Sequence, residues 1–331
     1  MRLTDRLPGL ALLAGIGLLG YAVGTVTPIP GLVAAVAIGA LIGNTRGYSA
    51  RFAPGVRTNK LWLETGIVLM GAGIAVGAVL DAGPAVLGLV VAVVVGTVLF
   101  VELLSRRVLS IPEKLSSLLA AGAGVCGVSA VVSVAGSIDA EESHVAYASA
   151  AVLAFDALTL VVYPAVGTAL SLPDAAYGVW AGATMFSTGP VAAAGFAYSE
   201  TAGRWAVLVK LARNTLIGVV TVGYALYYAR RADSGQLATE RPGLAAVVSK
   251  VPRFLVGFLL LAVLGNTVLS AATVEALATL SDLLFLLAFA GLGLGLRTSK
   301  LRAAGVGPLA VLLASLVTFS AAVLAVVGVL F

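Results

Sequence analysis

The sequence is poor in the residues that most soluble chemistry depends on. It has one cysteine, Cys126, which excludes a disulfide framework. It has one histidine, His144, which excludes a His-rich metal site. Only 11% of its residues are charged, against about 25% in soluble domains. What fills the space is apolar: 60% of the 331 residues are hydrophobic, and the mean hydropathy is +1.08. In water such a chain would expose large apolar patches and aggregate. A cytosolic enzyme, a secreted domain and a nucleic-acid-binding module are therefore excluded. Disorder is excluded as well, because disordered chains are poor in apolar residues. The composition predicts a polytopic membrane protein.

Eleven hydrophobic segments can be read along the chain, near 8–26, 29–43, 61–80, 83–104, 115–136, 144–170, 175–198, 205–229, 252–271, 280–297 and 303–331. A helix needs about 20 apolar residues to cross a bilayer, and the second and tenth segments are short. None alternates as a membrane β-strand would, so the expected fold is an all-α integral membrane protein with one polytopic domain over 1–331. The first segment lacks a small-residue cleavage site and reads as a retained helix. With the N-terminus inside, 17 of the 20 basic residues fall in inside loops. These include Arg2, Arg6, Arg46, Arg57, Arg106, Lys114, Arg230, Arg241, Lys250, Arg253, Arg297, Lys300 and Arg302. The outside loops carry Asp81, Asp139, Glu141, Glu142, Glu200, Glu275 and Asp282, with Arg204 as their one basic residue. The positive-inside rule thus supports eleven spans in the cell membrane, with the N-terminus cytoplasmic and the C-terminus outside. The net charge of +5 then marks cytoplasmic loops and not a nucleic-acid partner. Glu64 reads as an interfacial residue and His144 as an outer-loop residue.

Three charges fall inside spans: Asp156 in the sixth, Lys210 and Arg213 in the eighth. A charge at that depth costs about 2.5–3.5 kcal/mol on insertion scales, so it faces protein or water. Lys210 and Arg213 share one helix face. Together they suit an oxyanion such as sulfate, carboxylate or phosphate. The alternatives are that Lys210 snorkels to the interface, or that Asp156 neutralises one of the pair. Asp156 could instead carry a proton or coupling ion.

Glycine is the second signal. Residues 120–130 hold Gly122, Gly124 and Gly127 around Cys126, and residues 181–191 hold Gly182 and Gly189-Pro190. Both are poor continuous helices. Non-helical backbone at membrane depth is tolerated where it lines a cavity or is buried in protein. Transporters use such breaks to aim helix ends at ions. Ser129, Ser133, Ser187 and Thr188 would supply hydroxyls there. Close packing through small residues is the competing explanation. A weak repeat adds to the pattern. Leu-Ile-Gly-Asn-Thr (41–45) resembles Val-Leu-Gly-Asn-Thr (263–267), each followed by a glycine-rich stretch, Gly71-Ala72-Gly73 and Gly291-Leu292-Gly293, and then by Gly83-Pro84 and Gly307-Pro308. An offset of seven helices implies inverted topology. The two Ala-Gly-Ala segments lie two helices apart and fit no simple version of that repeat.

Taken together, Leu-Ile-Gly-Asn-Thr (41–45), Glu-Thr-Gly-Ile-Val-Leu-Met-Gly (64–71), Ala-Gly-Ala-Gly-Val-Cys-Gly-Val-Ser-Ala-Val (121–131), Val-Tyr-Pro-Ala (162–165), Lys-Leu-Ala-Arg (210–213) and Gly-Leu-Gly-Leu-Arg-Thr (293–298) resemble, in order and spacing, the family of proposed sulfate exporters. These are multi-pass membrane proteins of bacteria and archaea, related to the bile-acid symporter and cation/proton antiporter superfamily. The resemblance covers about residues 30 to 325. It implies inverted repeats with broken crossing helices, one of them the stretch around Cys126. There is one departure. Family members commonly carry a His-Glu pair in the seventh span, where this chain has Phe186-Ser187. Asp156 is outside the family pattern and is a candidate replacement for the lost charge.

The expected function is a secondary transporter exporting a small anion, sulfate or an organosulfonate. Lys210, Arg213, Gly124, Cys126, Gly127, Ser129, Ser187 and Thr188 would form the substrate site. The alternative is a cation/proton antiporter of the same architecture using Asp156. No Gly-x-x-x-x-Gly-Lys-Ser/Thr motif is present, so no nucleotide drive is expected. No His-Glu-x-x-His motif and no aspartate pair at depth is present either, so no enzymatic role, cofactor or metal is expected. Oligomeric state is left open, a homodimer included.

Overall fold

The computed structural model describes residues 5–27, 31–73, 76–232, 253–296 and 306–330, without the side chains of 76–82, 232, 253, 255 and 330. Arg2, Arg241, Lys250, Arg297, Lys300 and Arg302 of the expected inside loops lie outside the described residues, as do the side chains of Asp81 and Arg253. The described secondary structure is helical throughout, without a strand. It runs α1 (Leu7–Val26), α2 (Gly31–Thr45), α3 (Ala53–Val56), α4 (Asn59–Met70), α5 (Val76–Leu103), α6 (Glu113–Ala121), α7 (Val128–Ile138), α8 (Glu142–Ala169), α9 (Asp174–Thr184), α10 (Thr188–Tyr198), α11 (Glu200–Thr215), α12 (Ile217–Ala232), α13 (Arg253–Thr267), α14 (Ala271–Gly295) and α15 (Val306–Leu330). Among the described residues, six stretches are long and apolar enough to cross a membrane: Leu7–Val26, Gly83–Val108, Glu142–Ala169, Glu200–Arg231, Ala271–Gly295 and Val306–Val329. Gly31–Thr45, Val128–Ile138 and Val256–Thr267 are shorter apolar helices.

Each hydrophobic segment has helix beneath it, but four are interrupted, the segment at 61–80 by the turn at Gly71–Gly73. The glycine-rich segments split into α6–α7 and α9–α10. The eighth segment, expected as one helix, turns at Leu216 between α11 and α12. The Thr215 hydroxyl bonds the Ala212 carbonyl at 2.7 Å just before that turn. Such back-bonding competes with the helix ladder and bends it. Helix α8 starts at Glu142, so His144 sits in its first turn and not in a loop.

The described chain forms two compact units. The first takes Met1–Gly83, Ala192–Arg204 and Arg253–Thr298. Its core is built on the two repeat copies, and they pack reciprocally. Helix α2 carries the first Gly-Asn-Thr and lies on the glycines of α14, while α13 carries the second and lies on the turn at Gly71–Gly73. Asn44 and Asn266 both donate to the carbonyl four residues back, Ala40 and Ala262, at 2.8 Å. Thr45 and Thr267 do the same to Leu41 and Val263. Glycine is needed at these seams because backbones touch. A Cβ on Gly293 would lie 2.2 Å from the Val36 carbonyl oxygen, and one on Gly39 would lie 2.5 Å from that of Ala290. Small residues allow such approach between membrane helices, where van der Waals contact replaces the hydrophobic drive.

The second unit takes Pro84–Val191, Trp205–Pro252 and Ser299–Phe331. Here α7 packs against α12, α6 against α7 and α8, and α15 against α8 and α9. Tyr163 of α8 stacks on Trp180 of α9 at 4.1 Å. The Trp180 indole N–H donates to Ser320 of α15 at 2.9 Å. These contacts fix α8, which carries Asp156.

The glycine seam is open to test. Gly293→Ala forces α2 from α14 and lowers stability by about 1–3 kcal/mol, the usual cost of overpacking. Gly295→Ala, whose added Cβ meets nothing within 4 Å, serves as the control. Thermal unfolding of the two purified variants in detergent separates them.

Candidate functional site

The sequence around Cys126 breaks its helix in a defined way. After α6 the chain widens into a single π-turn at Gly122–Cys126, closed by the Gly127 N–H on the Gly122 carbonyl at 2.9 Å. Gly127 then takes φ 68° and ψ −137°, in the left-handed region that favours glycine. The second break is different. Helix α9 ends at Thr184, and Met185 is extended at φ −67° and ψ 152°. Helix α10 restarts at Thr188, which places Pro190 in its first turn. There the missing N–H costs nothing, so Gly189-Pro190 begins a helix instead of kinking one.

The two breaks touch. A Cβ on Gly127 would lie 2.0 Å from the Ser187 hydroxyl oxygen. Lys210 and Arg213 of α11 hold them together. Lys210 is fully buried, and its ammonium donates to the carbonyls of Val125, at 2.8 Å, and Met185, at 3.0 Å. Arg213, also fully buried, donates to Met185 at 2.8 Å, Ala123 at 2.7 Å and Gly124 at 2.9 Å, with a longer contact to Gly182 at 3.4 Å. These are the open carbonyls that a helix leaves at its C-terminal end. A cation there meets the negative end of the helix dipole. Each basic side chain thus spans both breaks.

The acid sits at the opposite kind of end. Asp156 of α8 is 2% exposed, and its Oδ1 accepts the Ser187 N–H at 3.0 Å, at the mouth of α10. A carboxylate is stabilised at a helix N-terminus. Its Oδ2 is buried without a hydrogen-bond partner. Asn214, next to Arg213, donates to the Thr188 hydroxyl at 3.1 Å, and its own Oδ1 is buried without a partner. The Arg213 Nε is in the same position. With two bases and one acid, the junction carries a formal charge of +1.

Three readings of the charges are corrected. Lys114 and Asp139, expected on opposite faces of the membrane, lie together, the Lys114 ammonium donating to the Asp139 carbonyl at 2.6 Å, because the chain doubles back at the break between α6 and α7. Lys210 does not snorkel; it ends on backbone carbonyls inside the protein. Asp156 forms no direct ion pair with Lys210 or Arg213 among the described residues, because the helix ends take up all three groups. Of the other candidates, Gly124, Cys126 and Gly127 are buried in the first break, and Ser187 and Thr188 stand half-buried at the second. Ser129 is exposed in the first turn of α7, away from these contacts, and Ser133 bonds Thr221 at 3.0 Å. Phe186, where the family pair would begin, packs edge-on against Phe155 at 6.0 Å. Asn214 escaped the sequence reading; its signal was a polar residue directly after the deep arginine. Glu64 pairs with Lys60 at 3.7 Å, as an interfacial residue can.

The profile of a family described as conserved hypothetical protein 698 matches residues 8–312. The chain belongs to this family. Among related proteins, it is 32% identical to a UPF0324 membrane protein of Nitratidesulfovibrio vulgaris, over 91% of this chain and 87% of that one. It is 30% identical to a UPF0324 membrane protein of Clostridium tetani, over 76% and 75% of the two chains. A UPF0324 membrane protein of Streptococcus agalactiae is 26% identical over 91% and 90%. The chain is therefore an all-α membrane protein of this family.

Two substitutions probe the junction. Lys210→Met leaves the Val125 carbonyl without its donor and lowers stability by about 1–3 kcal/mol. Gly127→Ala drives a methyl into Ser187 and is at least as damaging. Ser129→Ala, at an exposed position, stays within about 0.5 kcal/mol of the parent. Thermal unfolding in a fixed detergent and lipid mixture ranks the three.

Proposed function

We propose that the protein is a secondary transporter in the cell membrane that exports a small oxyanion, sulfate or an organosulfonate. The observation that supports this is the buried junction with a formal charge of +1, built from two broken helices. A net positive site at depth attracts an anion from water. Lys210 and Arg213 are already bound to carbonyls, so in this reading they set the field without moving to touch the solute. The groups placed to bind it are the opening N–H groups of α7 and α10 and the hydroxyls of Thr188, whose oxygen also accepts from Asn214, and Ser187, which also bonds Asp156. Gly124, Cys126 and Gly127 shape the backbone beside them. The proposal includes no enzymatic step and no cofactor, and it places the N-terminus in the cytoplasm.

One observation favours a second reading, a cation/proton antiporter. The Asp156 Oδ2 is buried without a partner, as an oxygen that gains and loses a proton would be. Its carboxylate also reaches the backbone of Ser187, where the resemblance to the proposed sulfate exporters places a glutamate in other members.

Proteoliposomes with labelled sulfate or a labelled sulfonate, under imposed pH and sodium gradients, distinguish the two. Anion flux is the expected result. Ser187→Ala then raises the half-saturating anion concentration about fivefold, the worth of one hydrogen bond of about 1 kcal/mol. Asp156→Asn abolishes the response to the pH gradient and leaves anion exchange in place if Asp156 carries the proton. Cation-dependent proton movement without anion flux overturns the first reading in favour of the second.

A further inference from the structure

Away from the junction, the second unit holds a cleft between the end of α5, with a π-turn at Leu104–Val108 after it, and α12. Its volume is about 510 Å³, and its wall is Val98, Leu99, Leu103, Val220 and Gly223 with the rings of Tyr224 and Tyr227. That volume is within the range of about 300–1,000 Å³ usual for small-molecule sites. The cleft is polar at one end only. From Val98 to Arg107 the helical rise is about 14 Å, and the charged residues stand at its far end.

That end is braced by a polar network. Glu102 pairs with Arg106 at 2.5 Å and accepts from Ser117 and Tyr224, each at 2.8 Å. Arg106 also pairs with Glu113 at 2.5 Å, and Glu113 pairs with Arg231. The network uses up both glutamates. Arg107 lines the cleft, is exposed, and has no hydrogen-bond or ion-pair partner among the described residues. Arg230, in the last turn of α12, is likewise exposed and without such a partner. Four arginines against two glutamates leave this end with a charge of +2. Leu99 and Leu103 are 63% and 59% exposed on the outer wall.

An apolar slot with one cationic end matches an amphiphile with an anionic head. We propose that this cleft binds an anionic phospholipid of the surrounding bilayer, its acyl chain along Val98, Leu99 and Gly223 and its phosphate on Arg107. The charge distribution selects this occupant. The positive-inside rule puts Arg106, Arg107, Arg230 and Arg231 at the cytoplasmic face, where anionic lipids supply the complementary charge. Gly223 has a structural part, since a Cβ there would meet nothing within 4 Å. Glycine at that position leaves the slot open without being required by packing.

The test is lipid retention by the full chain, purified in neutral detergent and read by native mass spectrometry with added phosphatidylglycerol or phosphatidylcholine. The expected result is at least about a fivefold preference for phosphatidylglycerol, the scale of one arginine at an anionic surface. Arg107→Gln lowers that preference about fivefold. Gly223→Trp fills the slot and reduces retention of phosphatidylglycerol, with melting temperature and helix content unchanged. If Arg107→Gln does not fold, Arg230→Gln is read in its place and lowers the preference in the same direction. Equal retention of the two lipids by the parent, or an unchanged preference in the folded arginine variant, overturns the proposal. So does full retention by Gly223→Trp. Competition by glycerol phosphate at the same concentration as the lipid would assign the site to a soluble phosphate and overturn the lipid reading.

Discussion

The second unit depends on two cations ending on backbone carbonyls. A broken helix at membrane depth leaves carbonyls that no water can reach, and each such group costs free energy unless a donor meets it. Lys210 and Arg213 meet several at once, from both breaks. The same bonds stabilise the cations, since a buried ammonium or guanidinium also needs partners. Charge and break are thus stable only together. Asp156 completes the arrangement from the opposite sign, facing an N-terminal N–H.

The first unit packs chiefly through glycine, with Arg204 donating to the Gly73 carbonyl at 2.9 Å. Its seams are glycine against backbone, at Gly39 and Gly293 between α2 and α14, and at Gly265 against Ala72 between α13 and the turn after α4. The reciprocal use of the two Gly-Asn-Thr helices gives the repeat a physical sense. Each copy supplies the polar cap of one helix and the smooth surface on which the other copy's helix lies. Neither copy could bury its own seam.

Much of this was legible in the chain itself. Low charge and long apolar runs predicted an all-helical membrane protein, and the glycine clusters at 120–130 and 181–191 mark the two breaks. The scarcity of deep charges also drew attention to Lys210, Arg213 and Asp156. What they bond to was not legible, because carbonyl acceptors leave no trace in residue identity. The turn at Leu216 was hidden for a related reason. Asn214 and Thr215 are tolerated in helices, and only tertiary contacts decide that Asn214 reaches across to Thr188. The Glu102–Arg106 network was hidden by its position, since charges near a helix end read as ordinary interfacial residues.

One feature of the junction has a mechanical side. The Lys210 ammonium and Arg213 guanidinium have exchanged their hydration for an oxygen shell drawn from the π-turn after α6 and the end of α9. Pulling the two breaks apart would strip each cation of part of that shell in a medium that offers no replacement. The segments around Val125 and Met185 are therefore tethered through a shared solvation sphere. Any rearrangement of this region carries them as one rigid piece, with the flexing left to the turns outside it.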